Sequence, residues 1–219
     1  MGSDKACLTR AELEFTQRIQ LQIEGLIPTE VLAKWNGCTA DILQAALSET
    51  FSRFPEPQPE PLLKFLGIVT IPATERFIVS DRIAAIRKSG RKIYTGSNFE
   101  KWFFEITVEP IEETQLRHYK LLKAEVDGTI IAELGGKIKA ETTFSGMLAL
   151  MEKQANGENG ILLTNGYANI FYIRDGNGVL RAVGCYWDGG GWYVRADSVE
   201  GPDRWGEGYQ VFSCNSLKS

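Results

Sequence analysis

The stretch from Gly160 to Asn215 constrains this chain most: short apolar runs cut repeatedly by glycine turns. Residues 168–175 are rich in Ile, Phe and Tyr, types that suit a pleated, half-buried surface. Asp175-Gly176-Asn177-Gly178 follows, and these residues tolerate the positive φ of a tight hairpin. Residues 179–187 then run with Gly184 as their one breaker. Alternation puts Val179, Val183, Cys185 and Trp187 on one face and Leu180, Ala182 and Tyr186 on the other, with Arg181 interrupting the first. Gly189-Gly190-Gly191 makes a second turn and residues 192–199 a third strand. Connections this short predict antiparallel neighbours.

Rings are dense in this meander (160–215). They either fill a core poor in long aliphatics or line a platform for a sugar ring, a base or a peptide. Trp192 and Tyr193 are consecutive, so in a strand they face opposite ways and one of them is the better candidate for exposure. Trp187, Trp192, Tyr193 and Trp205, with the neighbouring Asp188 and Asp197, are the candidate ligand-binding residues. A carboxylate-dependent hydrolase is an alternative: two carboxyls among Asp188, Asp197, Glu200 and Asp203 astride a sugar would suffice. That chemistry requires the pair to converge in one pocket.

Upstream, residues 8–53 carry apolar stripes at helical spacing and read as a helical module spanning 1–54. A helix, an Asn36-Gly37 turn and a further helix invite a DNA-binding reading. The third helix, however, has Asp41 and Glu49 and no Lys or Arg between Thr39 and Phe51, a surface that repels phosphate. Prolines at 55, 57, 59 and 61 favour an extended spacer over 55–61. Residues 62–219 then read as an α+β domain, with strands at 65–71 and 77–79, paired strands at 116–125 and 129–134, and a helix from Thr142 or Thr143 to Gln154. A short helix at 99–106 completes this mixed domain.

Arg82, Arg87, Lys88, Arg91 and Lys92 form a local basic run beside Tyr94 and Phe99. It reads as a solvated hairpin tip turning at Ser89-Gly90. The alternative is a single-stranded nucleic-acid site using Arg87, Lys88, Arg91 and Lys92. The formal net charge of −4 gives nucleic acid no general attraction. It is concentrated in residues 1–60, which hold 5 basic and 9 acidic side chains.

His118 is the only histidine, and its flanking residues contain no nucleophile, which disfavours Ser-His-Asp and Cys-His catalysis. Cys7, Cys38, Cys185 and Cys214 have no metal-ligand spacing, and neither glycine-rich phosphate motif occurs, so no metal and no cofactor is expected. No apolar run approaches membrane-span length and the first twenty residues lack a secretory apolar core, which points to a cytoplasmic protein with reduced thiols.

Several stretches resemble a family of uncharacterised proteins of reduced-genome candidate-phylum bacteria. They include Trp35-Asn36-Gly37, Ala132-Glu133-Leu134-Gly135-Gly136 and Asn169-Ile170-Phe171-Tyr172. The most distinctive is the ending from Trp205 to Asn215, which follows a W-x-x-G-x-x-V-F-S-x-N pattern. The resemblance covers most of 62–215 and implies one unit of constant length, with no activity attached. Cys214 stands where that pattern has arginine, so anything the arginine binds would be lost here. The resulting expectation is a non-catalytic binding or interaction protein, with an aromatic-rich β surface presented to a protein or small-ligand partner.

Overall fold

The computed structural model describes residues 60–215 and four isolated positions before them, Thr39, Ile42, Ala45 and Glu49. The chain divides after Pro59 into two compact units, and the second, which begins at Glu60, carries the whole of the main sheet. The expectations for 1–54 and for most of the proline run lie outside the described residues.

The meander forms as its turn chemistry dictates. Strands β7 (Asn169–Arg174), β8 (Leu180–Trp187) and β9 (Trp192–Ser198) pair antiparallel in sequence order. Asp175 organises the first turn: its Oδ1 accepts the backbone N–H groups of Asn177 and Val179, each at 2.9 Å. Its Oδ2 accepts from Arg181 Nε at 2.8 Å. Burial alone would push this carboxyl up, but the Val179, Arg181 and Asn177 donors outweigh it and hold Asp175 below its ordinary pKa. Asp188 does the equivalent at the second turn, accepting from Gly190 and Gly191 N–H at 3.0 Å.

Around this hairpin pair a seven-stranded sheet assembles. Strands β1 (Leu63–Ile71) and β5 (Thr114–Leu121) lie at one end and β3 (Ile93–Thr95) at the other. With β11 (Gln210–Cys214) the order is β1-β5-β11-β7-β8-β9-β3. The sheet is mixed: beyond the antiparallel β7-β8-β9 meander, β11 pairs parallel with β7, and β3 parallel with β9. The chain leaving β9 crosses a face of the sheet through the short β10 (Arg204–Trp205) and re-enters beside β7 in the same direction. Two small antiparallel pairs flank the sheet, β2 (Phe77–Ile78) with β4 (Thr107–Val108) and β6 (Glu125–Val126) with β10.

Both faces of the central strands are covered, so β7 is buried at five successive positions and does not alternate with solvent. On the first face, Phe171, Val183, Cys185, Trp192 and Val194 meet α1 (Val79–Lys88), α2 (Ser97–Phe103) and α5 (Phe144–Lys153). Phe99, Phe103 and Phe144 stack there with centroids 5.3–6.0 Å apart. Each ring buried in this way stabilises the fold by about 1.5–3 kcal/mol. On the second face, Ile170, Tyr172, Leu180, Ala182 and Trp205 pack with α3 (Asp127–Glu133) and α4 (Lys137–Ala140).

Two expectations from the sequence need correction. The basic run does not form a hairpin tip: Arg82, Arg87 and Lys88 lie on α1, whose Val79 and Ile83 are buried at helical spacing. Arg87 and Lys88 sit in its last turn, where the helix dipole favours cations. Residues 129–134 do not form a strand partnered with 116–125. Residues 129–133 belong to α3, because Ile130 and Ile131 reach the second-face core from adjacent helical positions. Burial here overrides the strand preference of β-branched residues. Thr143 caps α5 as expected, its Oγ1 accepting the Gly146 N–H at 3.1 Å.

Candidate functional site

The expected ring cluster is divided by the sheet. Trp192 faces the first side and is 3% exposed; its Nε1 donates to Gln154 O at 2.9 Å. Half-buried Trp187 lies edge-on to it at 5.6 Å and packs under the loop after α5. A Cβ at Gly157 would stand 2.4 Å from the Trp187 ring, and Gly157 has φ +74°. Tyr193 faces the other side and pairs with Tyr186 at 5.2 Å, both half-buried. Trp205 shares that side and is 4% exposed. Trp192 and Trp205 are therefore structural rings on opposite faces and form no common platform.

Trp205 belongs to a buried polar cluster that the sequence did not reveal. Its Nε1 donates to Asp127 Oδ1 at 2.7 Å, and Tyr172 Oη donates to the same oxygen at 2.8 Å. Burial pushes the Asp127 carboxyl above its ordinary pKa, and the two donors only partly offset that rise. Burial also raises Tyr172 well above the tyrosine range, so its O–H remains a donor. Arg195 lies over the Trp205 ring at 4.9 Å and pairs with Asp197 at 3.3 Å.

The candidate carboxylates do not converge. Asp188 stands in the turn before β9 and Asp197 at the far end of that strand, about 17 Å of strand rise away. Glu200 and Asp203 are exposed on the following connection. Of the basic residues, Arg87 is engaged locally, donating to Ile93 O at 3.0 Å and Thr95 Oγ1 at 2.9 Å. Arg91 and Lys92 meet Trp192 at a small apolar cleft closed by Ile86, Ile93 and Met151. His118 is stacked on Phe212 at 5.9 Å and faces Gln210 Nε2 at 3.0 Å; burial lowers its pKa. Burial raises the Cys185 thiol far above its ordinary value, which makes it a core residue and a poor nucleophile. Among the described residues no group of three or more His, Cys, Asp or Glu is placed to hold a metal ion.

A second cavity lies beside that cleft and shares Arg91 and Glu152 with it. It is a groove of about 580 Å³ between the 72–77 loop and α5. Ser145, Leu148, Ala149 and Glu152 line it from α5 at the i, i+3, i+4, i+7 spacing of one helical face. Arg82 reaches from α1 to Glu152, Nε to Oε1 and Nη2 to Oε2, both at 2.9 Å. Two residues of these walls carry buried hydroxyls that make no hydrogen bond among the described residues: Thr74 Oγ1 from the loop and Ser145 Oγ from α5. Ser145 is 1% exposed.

These groove residues carry little signal in the sequence. Thr74 sits in a segment whose only visible feature is a proline turn. The helical stripe of Ser145 could have been drawn, since Ser145 and Glu152 stand at either end of an apolar pair, Leu148 and Ala149. Comparison of the chain with known protein families, with curated proteins and with solved structures finds no match.

Proposed function

We propose that this protein is a binding protein whose site is the groove between the 72–77 loop and α5, and that it takes a small polar molecule there. The carrying observation is that one cavity is lined by two residues, Thr74 and Ser145, whose buried hydroxyls have no partner among the described residues. A buried hydroxyl without a partner costs about 1–3 kcal/mol, which a ligand bonding to it would recover. The volume of about 580 Å³ falls in the range of small-molecule sites. The expected aromatic surface enters this reading only through Trp192, which borders the adjoining cleft beside Arg91.

The test is ligand-observed NMR of the full chain against a panel of polar metabolites, with Ala149→Trp as the blocked control. Ala149 is half-buried on the groove wall, so the added ring fills the cavity from its edge. Hits should bind the wild type and lose binding in A149W while the melting temperature stays close to wild type. Hits that all survive the substitution would place binding elsewhere and defeat the proposal.

A further inference from the structure

Resting on the groove as the binding site, we infer that its ligand is a small organic phosphate. Four cations line the groove, Arg76, Arg82, Arg91 and Lys153, against two acids, Glu75 and Glu152. Arg82 is held by Glu152, and Arg76 pairs with Glu109 at 3.4 Å. Arg91 and Lys153 form no hydrogen bond or ion pair among the described residues; Glu158 feels Arg91 only through space. Both are exposed at the groove, where an oxyanion meets their charge and a neutral or cationic ligand does not.

Phosphate fits these donors better than carboxylate. The two cations come from separate walls, Lys153 from the end of α5 and Arg91 from the turn after α1. A tetrahedral group with three terminal oxygens accepts from several directions, while a planar carboxylate offers two oxygens in one plane. Guanidinium is also well matched to phosphate, which it can grip with two parallel N–H bonds. A phosphate alone leaves most of the 580 Å³ unfilled. The remaining wall is Phe77, Leu148 and Ala149, an apolar surface suited to a short carbon skeleton.

The experiment titrates the ¹⁵N-labelled full chain separately with glycerol 3-phosphate, inorganic phosphate and glycerol, with ionic strength held constant by chloride. Glycerol 3-phosphate should shift the Thr74 and Ser145 amides and the Arg91 side chain in a saturable way, more tightly than inorganic phosphate, with glycerol inert. Arg91→Gln and Lys153→Gln should each weaken that binding by about tenfold, as expected for a charged hydrogen bond. Both residues are exposed, so neither substitution threatens the fold. Three results would overturn the assignment: equal response to glycerol, wild-type affinity in both variants, or no response to glycerol 3-phosphate. Inorganic phosphate binding as tightly as the ester would remove the organic part of the claim. Whether the groove reading falls as well is read separately, from the metabolite hits that A149W does or does not abolish.

Discussion

Trp205 and Asp127 are joined by a 2.7 Å hydrogen bond across 78 positions of chain, from indole Nε1 to carboxyl Oδ1. The bond fastens the β9-to-β11 crossover to the first residue of α3, on the second face of the sheet. Trp205→Phe keeps most of the apolar volume and removes the donor, so it should cost about 1–2 kcal/mol in urea unfolding. Asp127→Leu strands both Trp205 Nε1 and Tyr172 Oη and should cost more, about 2–4 kcal/mol. Asp127→Asn keeps an acceptor oxygen and should stay closer to wild type than either.

The same carboxyl sets a pH dependence. Asp127 has its folded-state pKa raised above the ordinary 3.8, so the native chain keeps this proton to higher pH than the unfolded chain does. The native state therefore binds the extra proton inside that window, and stability falls as pH rises from 3.8 to the raised value, then levels off. Asp127→Asn should abolish this slope in melting curves measured across the acid range. A variant slope equal to wild type would assign it to other groups.

His118 acts in the opposite sense. Burial lowers its folded pKa below the ordinary 6.5, so the unfolded chain takes up a proton that the native chain refuses. Its contribution is complete above 6.5 and is lost as pH falls through the window beneath that value. His118→Gln should flatten the loss of stability between neutral and mildly acidic pH.

Gly184 is the point of β8 over which the Trp205 ring lies. A Cβ there would stand 3.0 Å from Trp205 Cη2, tighter than ordinary contact. Gly184→Ala should destabilise by about 1–3 kcal/mol, as overpacking does. Combining it with Trp205→Phe, which trims the crowding ring, should recover part of the loss. Strict additivity in the double mutant would mean the two residues do not press on each other.

Ser145→Ala separates stability from binding. The hydroxyl is buried without a partner among the described residues, so its removal should leave unfolding free energy unchanged or raise it by up to about 1 kcal/mol. The same change should weaken ligand capture in the groove. A marked loss of stability would show that Ser145 Oγ serves the fold and is not held in reserve for a ligand.

Local chemistry was enough to specify the β7-β8-β9 meander, its two turns and the α5 cap. Asp-Gly-Asn-Gly and Gly-Gly-Gly tolerate few alternatives to a reversal, and Thr143 satisfies a backbone donor three residues away. Val183 and Cys185, which alternation puts on one face of β8, are both fully buried. Which rings are buried is settled by long-range packing, because Trp187 is covered by the loop after α5 and Trp205 by α3 and β8. Packing also makes residues 82–88 and 127–133 helical, since what stabilises each is a buried face whose partners lie elsewhere in the chain. The groove belongs to the same class: Thr74 and Ser145 are 71 positions apart, and no local pattern records that two such hydroxyls share a cavity wall. Short-range backbone preferences are written in neighbouring residues, whereas burial and the fate of a polar group depend on what packs against it.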